Sequence, residues 1–470
     1  MANASQNGAS VGVFGIGLAA YWPQFPGLKE RLEGYQREVE SRLAGFGVKV
    51  VSSGLVDTPE RAREAGDLFR RADVDLIICY VATYATSSQV LPVVQRAHVP
   101  VVVLNLQPTA ALDYAATDTG EWLANCCTCC APEIANAFAR SRIDFRVVSG
   151  MLREDAAAWR EIEDWCRAAG VARTLRRARI GFLGHNYPGM LDMYSDFTAA
   201  HAQVGAHIEV LEMCDLKKRV PAPGDAVVQK KLEEAHAIFD VDSSVKAEDL
   251  LWAAQAAVGL DRLVADFALD GLTYYYRGLD GNEYERLGAG LIMGNSLLTA
   301  RGIPASGEGD LKTCLAMKIV DQFGAGGSYT EFYAMDFRES FLLMGHDGPG
   351  HVKISDRRPL LRGLGLYHGK RGYGVSVEFQ VLKGPITILG MTQTAEGRLK
   401  MLAAEGESLP GPTLRIGNTN SRLKFAQPPA EFVNRWCHEA PTHHVALGVG
   451  HLAGRLEKLA SVMKIPLVKM

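Results

Sequence analysis

From Val11 onward the chain alternates short β-branched runs with amphipathic stretches: Val11-Gly12-Val13-Phe14, Val48-Lys49-Val50-Val51, Leu76-Ile77-Ile78-Cys79-Tyr80 and Val101-Val102-Val103-Leu104. Strands separated by helices imply a parallel sheet covered on both faces. One helix is opened by Asp57-Thr58-Pro59-Glu60, where Asp57 or Thr58 can cap and Pro59 suits the first turn. The basic stretch from Arg173 to Arg179 precedes a new strand, Ile180-Gly181-Phe182-Leu183-Gly184, so a second α/β unit begins there. It continues through His207 to Leu211 and two long helices, around Ala226 to Phe239 and Lys246 to Leu269. After about residue 320 the rhythm changes. Val375 to Val381, Pro385 to Leu389 and Leu414-Arg415-Ile416 read as strands between glycine-bearing turns, with little helix among them. A helix near Gly450 to Met463 and a short strand at Ile465 to Val468 close the chain. The expected architecture is two consecutive doubly wound parallel-sheet domains, 1–174 and 175–320, followed by a mostly antiparallel, barrel-like β domain, 321–470.

With 470 residues, 47% of them hydrophobic, the chain has material for two or three cores. A net charge of -3 provides no electrostatic footprint for nucleic acid or an anionic membrane. The segment from Met1 to Ser10 lacks the apolar core of a signal peptide, and no stretch reaches bilayer-spanning length. The nine cysteines, four of them between Cys126 and Cys130, do not form a secreted disulfide pattern, so a cytoplasmic protein is expected.

The chemistry-bearing residues are Gly307-Glu308-Gly309-Asp310-Leu311-Lys312-Thr313, then Glu331, His346 and the pair His443-His444. At these separations they cannot share one helix, so only the tertiary fold can gather them. Two hard oxygen donors and two imidazole nitrogens suit an octahedral divalent cation with open positions better than a closed, thiolate-rich zinc site. The opposing reading is that each residue is ordinary, since glutamates are mostly solvated and twelve histidines scatter by chance. The donors come from the second and third regions, which puts the site at a domain boundary, where ligand clefts tend to form.

The block Gly-Glu-Gly-Asp-x-Lys-Thr, Glu331 ending Gly326-Gly327-Ser328-Tyr329-Thr330-Glu331, Gly345-His346 after an apolar strand, and the late His-His resemble the L-arabinose isomerase family, which shares its fold with the L-fucose isomerases. Weaker matches run in order through most of the chain. The resemblance implies a metal-dependent aldose–ketose isomerase acting on a free sugar, L-arabinose to L-ribulose or a related pentose or deoxysugar. It implies Glu308, Glu331, His346 and His444 as metal ligands, with His351 as the competitor to His346 across Gly345-His346-Asp347-Gly348-Pro349-Gly350-His351. The cation is expected to be Mn²⁺, with Co²⁺, Fe²⁺ or Mg²⁺ as alternatives. Moving a proton between C1 and C2 and another between O1 and O2 passes through an enediol and needs two carboxylates, for which Glu308 and Glu331 are the candidates. A homo-oligomer, trimer or hexamer, with sites at subunit contacts is implied, with no nucleic-acid or membrane partner. A sugar-binding or sensing protein on the same scaffold, or a metal-dependent hydrolase, are the rival classes.

Four further stretches bear on the pocket. Gly15-Ile16-Gly17-Leu18-Ala19-Ala20 formally matches a dinucleotide fingerprint, but Trp22-Pro23-Gln24-Phe25-Pro26 intervenes where a helix should start, so a strand-end loop lining a sugar cleft is preferred. In Asn125-Cys126-Cys127-Thr128-Cys129-Cys130-Ala131-Pro132-Glu133, a helix would set Cys126 beside Cys129 and Cys130; packing is favoured over redox or soft-metal chemistry. By resemblance, Cys129 stands where the family has a sugar-contacting histidine. Tyr187 and Met190, on the loop after Gly184, are expected to contact substrate, as is His443. Tyr274-Tyr275-Tyr276 either stacks on a sugar or fills a core, Lys312 is expected to pair with Asp310 or Glu308, and His438 and His451 read as surface or packing residues.

Overall fold

Ser10–Ile16 (β1) is apolar on both faces and buried along its whole length, as a central parallel strand must be. The computed structural model describes residues 8–277, 281–367, 370–414 and 416–470, and the chain divides into two compact units, 1–174 and 175–470. In the first unit β1 is joined by Lys49–Val56 (β2), Leu76–Tyr80 (β3), Val101–Gln107 (β4) and Phe145–Met151 (β5), all parallel, in the order β2-β1-β3-β4-β5. The helix Pro59–Arg71 is capped by Thr58, whose side chain accepts from the Arg61 N–H, while Asp57 accepts from the Trp22 indole. The helix after β1 starts only at Leu28, behind Gly27 in the left-handed region. The glycines of the fingerprint are explained by packing instead, because a Cβ on Gly15 would lie 2.5 Å from Gln36 Oε1 and one on Gly17 2.9 Å from the Trp22 ring.

The second unit opens with a four-stranded parallel sheet built from Arg179–Gly184 (β6), His207–Leu211 (β7), Gly271–Tyr275 (β8) and Ala305–Ser306 (β9), ordered β9-β8-β6-β7. Helices Ala226–Ile238 and Ala247–Phe267 lie within the stretches expected for them. Beyond residue 320 the chain forms six antiparallel strands, Gly326–Asp336 (β10), Phe341–His346 (β11), Gly384–Gln393 (β12), Leu399–Leu409 (β13), Thr419–Phe425 (β14) and His444–Val449 (β15). They run β12-β15-β10-β11-β14-β13, and β13 pairs back onto β12, closing a barrel; Leu467–Lys469 (β16) adds in parallel to β13. Phe425, Phe432 and Trp436 dock the helix Pro429–His438 onto it, with Phe425 and Phe432 stacked at 4.1 Å. Two α/β sheets followed by an antiparallel barrel is the architecture the alternation implied.

Details differ. Val375–Glu378 is a strand, but it belongs to a small separate sheet with Leu360–Gly363 and Asp240–Val241 rather than to the barrel. Of Leu414-Arg415-Ile416, Arg415 lies outside the described residues and its neighbours are not strand; the ladder resumes at Thr419, beyond the turn at Gly417, whose φ is +77°. The segment 1–7 is also outside the described residues. The last helix is Ala453–Met463. No helix among the described residues is long and apolar enough to cross a membrane.

Candidate active site

At the carboxyl end of β9 the chain makes a tight turn, Gly307-Glu308-Gly309, before Asp310 caps the helix Leu311–Gln322. Ligand-facing groups collect at this end of parallel strands. Glu308 itself sits at φ +61° and Gly309 at +75°, a region unfavourable to a residue with a Cβ. The turn is pinned on both sides: the Tyr187 N–H donates to the Glu308 carbonyl (2.9 Å), the Gly309 N–H donates to the Tyr274 carbonyl (3.1 Å), and Asn186 Nδ2 donates to the Gly309 carbonyl (2.7 Å). A Cβ on Gly309 would stand 2.7 Å from Asn186 Cα, so only glycine admits this approach. The result is a carboxylate that is 7% exposed, with Oε2 buried and unpartnered. Burial, then the nearby Asp347 carboxylate, pushes the Glu308 carboxyl up to about 8.

The barrel supplies the opposing groups by register. Glu331 on β10 lies directly opposite His444 on β15 and opposite Gly345 on β11. Opposite residues of an antiparallel pair project to the same face, so Glu331 and His444 share one. His444 is almost fully buried. Its Nδ1 donates to Asp310 Oδ2 (3.1 Å) and lies 2.6 Å from the Tyr329 hydroxyl, which donates onward to the Gly307 carbonyl (3.3 Å). Asp310 also accepts from the Thr313 N–H (3.0 Å) and hydroxyl (2.7 Å). Burial works against its charge, but the His444 hydrogen bond prevails and holds the carboxyl below its ordinary value. With the proton committed to Nδ1, the lone pair of His444 is at Nε2, which is buried, without a partner, and 3.3 Å from Glu308 Oε2. Burial keeps the ring below the ordinary histidine value, hence neutral. A carboxylate behind one imidazole nitrogen and an open lone pair on the other is the arrangement of a metal-ligating histidine.

The donor atoms of Glu308, His443 and His444 all lie within 4.8 Å of one another, so this group can hold a metal ion. Its members are not equivalent. His443 packs against His444 with ring centroids 3.8 Å apart and the rings tilted by 42°, and its backbone N–H and Nδ1 both donate to Asp192 Oδ2, at 3.0 and 2.7 Å. Burial opposes protonation of His443, yet the Asp192 carboxylate wins and raises it, while Asp192 itself is held down at about 2. A protonated imidazole suits hydrogen-bond donation better than ligation. Glu331, also raised by burial, lies outside the three-residue group, as does His346. The His346 ring approaches His444 (centroids 5.0 Å) and Tyr329 (4.5 Å), but its Nδ1 accepts from the Gly348 N–H at 2.9 Å, so its lone pair is engaged. His351 points elsewhere, its Nε2 lying 3.8 Å from Asp321.

Tyr187 supports the Glu308 turn and packs its ring 4.6 Å from that of Tyr275; Met190 leads into the short helical turn Leu191–Met193 that carries Asp192. Tyr274 is a core residue of the second unit's parallel sheet. Lys312 corrects the expectation of pairing with Asp310 or Glu308: its buried ammonium donates to the carbonyls of Met193 and Tyr194 (both 3.1 Å) and to Ser195 Oγ (3.0 Å), tying the loop that bears Asp192. Cys129 belongs to the first unit, where residues 126–130 are not helical; the helix starts at Ala131. Asp192 carries no motif in the sequence, and although Asp310 and Tyr329 lie within the quoted motif segments, their contacts to His444 become visible only in the fold.

An α/β sheet feeding a strained carboxylate turn toward histidine and glutamate on a closed barrel defines a protein with a candidate divalent-cation site. No family model matches the chain. It is 25% identical over 308 residues to the L-arabinose isomerases of Yersinia enterocolitica, Yersinia pseudotuberculosis and Yersinia pestis, matches covering 63% of this chain and 60% of each relative. The chain is thus similar to L-arabinose isomerases at the level of distant homology, and the match spans less than two thirds of their length.

Proposed function

We propose that the protein is a metal-dependent aldose–ketose isomerase acting on a free sugar, L-arabinose to L-ribulose by default and a related pentose or deoxysugar otherwise. The observation that carries this reading is the pair of buried, unpartnered atoms Glu308 Oε2 and His444 Nε2, 3.3 Å apart and backed by Asp310. Orphaned polar atoms at this depth are costly unless a ligand completes them. Glu308, His444 and Glu331 would hold the ion, joined by His346 once its Nδ1 gives up the Gly348 N–H, with Mn²⁺ in preference to Co²⁺, Fe²⁺ or Mg²⁺. Bound there, the ion supplies Lewis-acid stabilisation of the charge that develops on two adjacent sugar oxygens.

The chain's own residues divide the proton work. One of Glu308 and Glu331 takes the carbon proton and returns it to the neighbouring carbon, while the other exchanges the proton between the two oxygens. Burial raises both carboxyls, Glu308 to about 8, which eases their taking up a proton as well as releasing one. His443, kept protonated by Asp192, donates to a sugar oxygen, and Tyr187 and Met190 line the same strand-end loop. A cytoplasmic homo-oligomer, trimer or hexamer, accompanies this reading. Conversion in D₂O tests it: an enediol route places deuterium on the sugar carbon of recovered product. A sugar-binding protein or a hydrolase would leave the sugar's carbon-bound hydrogens unlabelled.

A further inference from the structure

Four neighbouring cysteines of the first unit separate into two kinds. Cys127 and Cys130 are core residues, packed with Phe138, Ile134 and Cys79, and their thiols donate to the Asn125 carbonyl (3.7 Å) and the Thr83 carbonyl (3.6 Å). Cys126 and Cys129 instead face each other, Sγ to Sγ at 3.2 Å, the first 6% exposed and the second open to solvent. They are spaced Cys-x-x-Cys, with Cys129 two residues before the helix Ala131–Arg140. The segment lies beside the chain exit from β3, through the bond of Cys130 to Thr83 and that of the Thr83 hydroxyl to the Leu123 carbonyl (2.7 Å). In a sheet ordered 2-1-3-4-5, the exits of β1 and β3 flank the switch point where small molecules have access.

We propose that Cys126 and Cys129 are a dithiol modification site that closes to a reversible disulfide on reaction with a hydroperoxide. The two sulfurs already touch at 3.2 Å, against a bonding separation of about 2.05 Å. The exposed sulfur reacts first, since burial and the contact with Cys129 push the Cys126 thiol up to about 12. Cys129 sulfur attacks the terminal peroxide oxygen; the O–O bond breaks, and the departing oxygen takes the thiol proton as an alcohol, leaving a sulfenic acid. Cys126 sulfur then attacks the sulfenic sulfur; the S–O bond breaks, and hydroxide leaves with the Cys126 proton as water. Two thiols have lost two electrons and two protons, and the hydroperoxide has become an alcohol and water. This inference is independent of the isomerase reading.

The test is peptide mass spectrometry of the full chain treated with tert-butyl hydroperoxide, unfolded, and alkylated with iodoacetamide. Expected is one peptide two hydrogens lighter, unlabelled at Cys126 and Cys129 together, labelled at Cys127 and Cys130, and restored to full labelling by dithiothreitol. Cys126→Ser should leave Cys129 as a sulfenic acid that dimedone traps, whereas Cys129→Ser should leave Cys126 a thiol. Wild-type protein that stays fully labelled at both positions, or in which Cys129 proceeds to a sulfinic acid or to a disulfide between chains, would overturn the proposal.

Discussion

Glu308 and the barrel residues Glu331 and His444 are held by different kinds of backbone. Glu308 sits on a three-residue turn, in a left-handed conformation that costs about 1–2 kcal/mol for a residue with a Cβ. Glu331 and His444 face each other across an ordinary antiparallel ladder, where register alone aligns them and no strained dihedral is needed. The turn can carry a carboxylate into a buried, unsatisfied position because three hydrogen bonds from other segments over-determine it. The strained element should therefore be functionally indispensable yet tolerant of loss in stability terms, whereas the barrel groups should be limited by ligation and fold together.

The sharpest break comes from the carboxylates. Glu308→Gln and Glu331→Gln should each lower kcat by about a thousandfold or more while circular dichroism stays near wild type and the thermal midpoint does not fall. Retained turnover in Glu308→Gln would reduce the turn to a scaffold for the helix cap. Next in size is metal affinity, measured by calorimetric titration with Mn²⁺. His444→Ala should lose about a hundredfold, and Asp310→Asn about 10–100-fold through the freed Nδ1 proton. His346→Ala should lose less than His444→Ala, because the Gly348 N–H already engages its Nδ1, and His351→Ala should lose nothing. Equal losses at His346 and His444 would erase the distinction drawn between the two rings.

These contrasts also mark what the sequence made legible. The alternating β-branched runs exposed the parallel strands, since continuous burial demands continuous apolar residues, as in β1 and β3. β5 escaped because it is an edge strand with most of its side chains partly or fully exposed, including Arg146. In the barrel, β13 contains Glu405, Gly406 and Glu407 and lacks a clean alternation, so closure is visible only in the pairing of β12 with β13. Glu308, Glu331, His346 and His444 stood out as donor types within a family-like motif. Asp192 and Tyr329 did not, because their meaning lies in contacts to His443 and His444 across more than a hundred residues of chain.

A smaller effect concerns pH. The metal-free folded state keeps the Glu308 proton up to about 8, whereas the unfolded chain releases it near 4.5. The folded state therefore binds more protons between those values, and its stability falls as pH rises through that window. Glu308→Gln lacks this titration. Its stability relative to wild type should grow from pH 4.5 to 8 by at most about 5 kcal/mol and then level off, as read from urea unfolding in EDTA. A gap independent of pH would show that the turn does not bury its carboxylate at a cost.

If a cation is held between the Glu308 turn and His444, ketose formation from a panel of aldoses, L-arabinose and L-fucose among them, should depend on it. Protein stripped with EDTA should form no ketose, and added Mn²⁺ should restore conversion in wild type but not in His444→Ala. Conversion undiminished by EDTA, or restored equally in His444→Ala, would contradict it.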